Sequence, residues 1–111
     1  MMNGTLLDHY AELLRAGEVV AFPTETVYGL GADAWNPEAV LKVFSLKGRP
    51  ADNPLIVHIS SLYMLEDFTD EIPDTARKLI EVFWPGPLTM IFKKKEKVLD
   101  LITGGLDTVA V

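Results

Sequence analysis

The residues best suited to chemistry begin at the end of an apolar, strand-like run, in the ten-residue segment FPTETVYGLG, Phe22 to Gly31. The hydroxyls of Thr24 and Thr26 and the phenol of Tyr28 can hydrogen-bond a polar small molecule, and glycines let a backbone approach such a ligand closely. Open α/β folds bind ligands at the carboxyl ends of their strands. The same residues also suit a turn whose threonines satisfy local backbone groups. The segment alone leaves both interpretations open.

A second polar segment, SLKGRPADNPL, runs from Ser45 to Leu55. Lys47 and Arg49 are separated by one glycine at a predicted helix end, so two cations can converge on one anion such as a triphosphate. Asn53 can offer amide donors to the same anion. The alternative is a helix C-cap in which both cations favour the negative end of the helix dipole and point into water. On spacing alone we favour the cap.

Three further features carry weaker signals. His58 lies among aliphatic residues and has either a structural role or a role in binding a ligand carboxylate or hydroxyl. The segment Gly29 to Ala34 fits a dinucleotide fingerprint, but the next helix signal comes only at Asn36, so we set a dinucleotide site aside. Trp84 to Thr89, WPGPLT, predicts a rigid structural corner ahead of a strand.

Hydrophobic spacing predicts the elements that would position these residues. Apolar residues from Leu6 to Leu14 recur at helical intervals before Gly17. Because helices and strands alternate along the chain, the predicted fold class is α/β. We predict strands at Val19–Phe22, Leu55–Ile59, Leu88–Lys93 and Thr108–Val111, and further helices after Asn36-Pro37, after Ser60 or Ser61, and after Pro73-Asp74 with Ala76, Leu79, Ile80 and Phe83 facing inward.

Composition limits the classes of function. The chain has 111 residues, a formal net charge of −6, no cysteine and two histidines, which together predict one domain without a thiolate or zinc site. The negative charge disfavours a broad nucleic-acid interface. Four lysines between Lys93 and Lys97 are predicted to form a solvated hairpin tip, with phosphate binding as a minor alternative. With neither a signal peptide nor a long apolar run, we expect a cytoplasmic protein.

Taken together, five motifs closely resemble the YrdC-like family. Its members are threonylcarbamoyl-AMP synthases, with a twisted mixed sheet flanked by helices. The resemblance implies that residues 1–111 are the N-terminal portion of one such domain, truncated before its C-terminal part. The motifs are Pro23–Leu30, Lys47–Pro50, Asn53–Ile59, Trp84–Thr89 and Asp107–Val111.

The resemblance implies a reaction of L-threonine, bicarbonate and ATP that gives threonylcarbamoyl-AMP and pyrophosphate for N6-threonylcarbamoyladenosine at tRNA position 37. It implies that Mg²⁺ travels with ATP, that no dedicated metal site is needed, and that the product passes to the tRNA threonylcarbamoyl transferase machinery. The ATP residues would be Lys47, Arg49, Asn53 and Thr108, with Lys47 and Arg49 acting in catalysis, and the L-threonine residues would be Thr26, His58 and Tyr28.

The end of the chain inside a strand-like segment, Asp107 to Val111, departs from the family pattern. It leaves open whether these residues are active alone, and an unpaired sheet edge would favour self-association. Two other functions stay open. One is the carbamoyl-adenylating module of hydrogenase maturation, and the other is a module that contacts tRNA or double-stranded RNA without synthase activity.

Overall fold

The computed structural model describes residues 4–23, 28–48 and 54–111, and the account below is of those residues. They fall into two compact units, Met1–Ala51 and Asp52–Val111, which are described in turn. Both units contain helices and strands, so the predicted α/β class is confirmed. Among the described residues, no helix has the length and apolar character needed to cross a membrane.

The first unit opens with helix α1, Gly4–Arg15, as its apolar spacing predicted. The helix ends at Gly17, which has a left-handed φ of 85°. The Gly17 amide donates to the Leu14 carbonyl at 3.1 Å, and the Glu18 amide donates to the Leu13 carbonyl at 3.0 Å. These bonds satisfy carbonyls that the last turn of a helix otherwise leaves unpaired.

Strands β1, Val20–Pro23, and β2, Tyr28–Gly31, then form an antiparallel pair. The sequence predicted β1 but not β2, since a segment with two glycines has low strand propensity. In β1, Val20 is buried whereas Ala21 is exposed.

Helix α2, Pro37–Lys47, has a well-defined start and end. The Asn36 side chain caps its first turn, and Gly48 ends it in the left-handed conformation with φ 63° and ψ 25°. Both signals were read correctly from the sequence. Leu46 is spaced to continue the apolar face of this helix but is 67% exposed. The buried residues of this unit's apolar core are Val20, Ala39, Val40, Val43 and Phe44.

The second unit is built on strands β3, Ile91–Lys93, and β4, Thr108–Ala110, which pair antiparallel. The predicted strand at 55–59 was wrong as a full strand: it contributes one parallel bridge, between Ile56 and Ala110. The unit therefore combines parallel and antiparallel pairing, but at 55–59 the ladder is limited to that bridge.

Three helices complete the second unit: α3, Leu62–Leu65; α4, Asp74–Phe83; and α5, Asp100–Thr103. The first two were predicted and α5 was not, because a serine precedes α3 and Pro73 precedes α4, whereas the residue before α5 is Leu99, which gives no capping signal. Within α4, Ala76 and Ile80 are buried as expected. Leu79 and Phe83 were wrongly placed inside, since they are 38% and 53% exposed.

The residues Trp84 to Thr89 form the corner between α4 and β3. The Trp84 indole N–H donates to the Leu88 carbonyl at 2.9 Å, across a cis Trp84–Pro85 bond. A Cβ atom at Gly86 would lie 2.5 Å from the Phe83 carbonyl oxygen, so only glycine fits there without a shift. These contacts agree with the structural role predicted for the WPGP segment.

Candidate functional site

The candidate site begins at the carboxyl end of α2. Lys47 lies in the last turn of that helix, is exposed, and is followed by the Gly48 cap. Within the described residues it forms no ion pair. The Gly48 cap uses a backbone N–H group, so it does not occupy the Lys47 side chain. The Lys47 ammonium group is therefore available to an anion. Arg49 and Asn53 lie outside the described residues, so their convergence with Lys47 remains a prediction.

The predicted threonine-binding residues near the end of β1 can be placed only in part. Thr26 lies outside the described residues, as does Thr24. Tyr28 is the first residue of β2, where its backbone pairs with Pro23. The two strands therefore meet at the residues that flank the predicted ligand-binding segment.

His58 and Thr108 belong to the second unit and lie on opposite sides of the Ile56–Ala110 bridge. Thr108 precedes Ala110 by two residues and His58 follows Ile56 by two, in a parallel register. His58 is exposed and Thr108 is half-buried. Their assignment to two different substrates remains a prediction.

A hollow of about 350 Å³ lies in the first unit and does not coincide with the predicted site. It lies between the turn that follows α1 and the outer face of α2, beside the start of β1 rather than its end. Lys47 is not among its lining residues, which are Glu18, Val19, Lys42, Ser45 and Leu46. The hollow predicted between Lys47 and the tip of β1 depends on residues outside the described ranges and stays a prediction.

The lysine-rich segment of the second unit is not the simple solvated hairpin tip that was predicted. It opens a connection that includes α5 and leads from β3 to β4. Three of its lysines pair with aspartates: Lys94 with Asp100 at 3.1 Å, Lys95 with Asp70 at 3.2 Å, and Lys97 with Asp67 at 3.4 Å. Lys94 also donates to the Val98 carbonyl at 2.9 Å. These partners hold the connection in place and compete with any phosphate ligand.

The described residues contain no group of three or more His, Cys, Asp or Glu side chains that could hold a metal ion. How the N-terminal end of α2 is held was not predicted from the sequence. Gly17 terminates α1 and also packs against the Asn36 amide. A glycine after a helix predicts the helix end, but nothing in the sequence indicates that the same glycine also contacts Asn36.

Comparison with known proteins identifies the family. The Sua5/YciO/YrdC family model, described as telomere recombination, matches residues 12–111. The chain belongs to this family. It is 59% identical over 101 residues to a threonylcarbamoyl-AMP synthase of Pyrococcus abyssi and 57% identical over 110 residues to one of Bacillus subtilis. These matches cover 91% and 98% of the chain but 30% and 32% of the relatives, so it spans about a third of their length.

Solved structures agree with this family assignment. P. abyssi Sua5 complexed with L-threonine superposes with a TM-score of 0.93 at 54% identity, covering 100% of this chain and 33% of that one. Escherichia coli YciO superposes with a TM-score of 0.80 at 21% identity, covering 99% of this chain and 53% of that one. The YciO match supports the fold alone, and the Sua5 match confirms the predicted YrdC-like architecture.

Proposed function

We propose that the chain forms part of an L-threonylcarbamoyladenylate synthase. The observation that carries this proposal is its 57–59% identity, over 91–98% of its length, to relatives with that name. In the proposed reaction L-threonine, bicarbonate and ATP give threonylcarbamoyl-AMP and pyrophosphate. Residues 1–111 would be the N-terminal portion of a single domain in a cytoplasmic enzyme.

ATP would bind at the carboxyl end of α2. The exposed Lys47, which forms no ion pair within the described part of the chain, supports this role because its charge is not already neutralised there. Arg49 would add a planar, two-pronged donor to the same phosphates, and Asn53 would lie beside them. Thr108, half-buried in β4, would contact the nucleotide through its hydroxyl.

L-threonine would bind in an adjoining subsite formed by Thr26, Tyr28 and His58. P. abyssi Sua5 has been solved in complex with L-threonine, and all of the present chain superposes on that protein. His58 is exposed, so its imidazole can reach a ligand group.

The chemistry needs positioning and charge neutralisation rather than a protein nucleophile. The threonine amine and bicarbonate first form an N–C bond with loss of water, giving a carbamate. A carbamate oxygen then attacks the α-phosphorus of ATP. The bond to the β-phosphate oxygen breaks, and pyrophosphate leaves with the electron pair. Lys47 and Arg49 would hold the phosphates in line and offset the negative charge on the leaving group. This makes the proposed enzyme a nucleotidyltransferase.

Mg²⁺ would enter as the ATP complex, since the ion commonly binds through substrate phosphates with few protein contacts. The product would pass to tRNA-modifying threonylcarbamoyl transferases, for modification of adenosine 37. Any direct contact with tRNA or other RNA would be a separate property of the protein, as would self-association through a sheet edge.

Calorimetric titration of the chain with MgATP and with L-threonine tests this proposal, and D-threonine is the matched control for the second ligand. We expect saturable binding of MgATP and of the L-enantiomer alone. Failure to bind either substrate would contradict the proposed function. A parallel titration with labelled tRNA at two salt concentrations identifies the rival function, which predicts strongly salt-dependent binding that ATP does not alter.

A further inference from the structure

Gly17 is both the end of α1 and a contact for the start of α2. Its left-handed φ of 85° is a conformation that residues with a side chain rarely adopt. A Cβ atom added at Gly17 would lie 2.8 Å from Asn36 Nδ2. The backbone conformation therefore favours glycine, and a Cβ atom at this position would displace the Asn36 amide.

Asn36 in turn holds the first turn of α2. Its Oδ1 accepts hydrogen bonds from the amides of Glu38 at 3.1 Å and Ala39 at 3.2 Å. The side chain therefore caps the helix with its oxygen while its nitrogen end lies against Gly17. Displacing this amide would disturb the cap and the contact together.

Lys42 makes a second link between α2 and the same glycine. Its Nζ donates to the Gly17 carbonyl oxygen at 3.4 Å, a distance near the upper limit for a hydrogen bond. Asn36 and Lys42 are six positions apart, which corresponds to about 9 Å along a helix. Two separated points of α2 therefore contact one residue at the end of α1.

A small rotation at these contacts would be amplified at the far end of α2. From Pro37 to Lys47 the helix axis extends about 15 Å, so a tilt of about 5° would move Lys47 by about 1.3 Å. Displacements of about 1 Å can reduce catalysis by about a hundredfold where groups must be aligned.

We propose that Gly17, Asn36 and Lys42 form a clasp that positions Lys47 for the phosphates of ATP. The three are positioning residues, since none of them is assigned to touch the substrate. The positioning of Lys47 for ATP rests on the proposed function, but the geometry of the clasp can be measured without ATP.

The test uses the 111-residue chain and two measurements. NMR residual dipolar couplings of backbone amides report the angle between α1 and α2, and calorimetry reports the dissociation constant for MgATP. Asn36→Ala removes the cap, and Gly17→Ala introduces the clashing Cβ. Asn36→Asp keeps the capping oxygen and is the conservative rescue. Gly105→Ala is the matched control, because Gly105 has φ 82° but open space around its Cβ position.

For Asn36→Ala and Gly17→Ala we expect a change of about 5° or more in the interhelical angle and about tenfold weaker binding of MgATP. Asn36→Asp and Gly105→Ala should keep the wild-type angle and bind within about twofold of the wild-type affinity. Lys42→Met should weaken binding more than Lys78→Met, which removes an exposed lysine of α4.

An unchanged angle in Asn36→Ala and Gly17→Ala would overturn the clasp, whatever the affinities are. A changed angle with unchanged MgATP affinity would overturn its positioning of Lys47. If the wild-type chain fails to bind MgATP, the proposed function fails instead, and the angles alone then decide whether the clasp exists.

Discussion

Truncation of Val109 to alanine tests the packing that holds β4 and, with it, the candidate nucleotide residue Thr108. Val109 is 1% exposed and pairs with Phe92, which is 4% exposed, in the register of β3 and β4. The substitution removes two buried methyl groups, which corresponds to about 1.6 kcal/mol at about 0.8 kcal/mol per group. The remaining cavity raises the expected loss to about 2–3 kcal/mol.

The chain offers a matched control for the same chemical change. Val82 in α4 is 73% exposed, so Val82→Ala should alter stability by no more than about 0.5 kcal/mol, because alanine also has the higher helix propensity. Urea unfolding followed by tryptophan fluorescence and circular dichroism measures both variants. Equal stabilities for Val109→Ala and wild type would refute the packing described for β4.

Three other predictions concern the site and the segments that frame it. Lys47→Ala should weaken MgATP binding about tenfold in calorimetry, whereas Lys78→Ala should leave it unchanged, because only the first lysine is assigned a phosphate contact. Gly86→Ala should lower the free energy of unfolding by about 1–3 kcal/mol, since its Cβ would clash with a backbone carbonyl; an unchanged urea midpoint would contradict that. Lys94→Met should lower the free energy of unfolding by about 1–2 kcal/mol, because the Val98 carbonyl loses its hydrogen-bond donor. Asp100→Asn should lower it by less than about 0.5 kcal/mol, because this aspartate is 80% exposed. Equal losses would contradict the greater importance given to the Lys94–Val98 hydrogen bond.

Helix ends that are determined by neighbouring residues were predicted correctly from the sequence. Asn36 followed by Pro37 and Gly48 after Lys47 fixed both ends of α2, because each residue satisfies groups that a helix end leaves unpaired. The apolar spacing of α1 and the Pro- and Gly-containing segment that ends α4 also depend only on neighbouring residues. Such elements need no knowledge of distant residues.

Two segments were predicted wrongly because their strand pairing does not follow from their own composition. β2 has little strand propensity of its own, but it pairs along its length with β1. Conversely, the apolar segment at 55–59 suits a strand, yet it makes only one bridge. Leu79 and Phe83 have helical spacing but lie exposed, since periodicity identifies an apolar face and not the surface that covers it.

The sequence predicted the position of a candidate-site residue where that residue lies at the end of a helix. The sequence indicated an exposed cation beside the glycine that ends α2, and the structure describes Lys47 in that position. The hydrogen-bonded contact between Asn36 and the α2 amides was expected, but its packing on Gly17 was not, since no spacing rule relates two residues on separate elements. Whether Lys47 and the tip of β1 share a hollow remains a prediction.

The most direct test of the central claim is formation of the product itself. The stretch of the P. abyssi relative that matches this chain can be replaced by the chain, and the purified chimera can be incubated with ATP, L-threonine, bicarbonate and Mg²⁺. We predict threonylcarbamoyl-AMP in the mass spectrum, with pyrophosphate release that requires threonine and is lost in Lys47→Ala. A folded chimera that binds ATP but yields no threonine-dependent product would contradict the account.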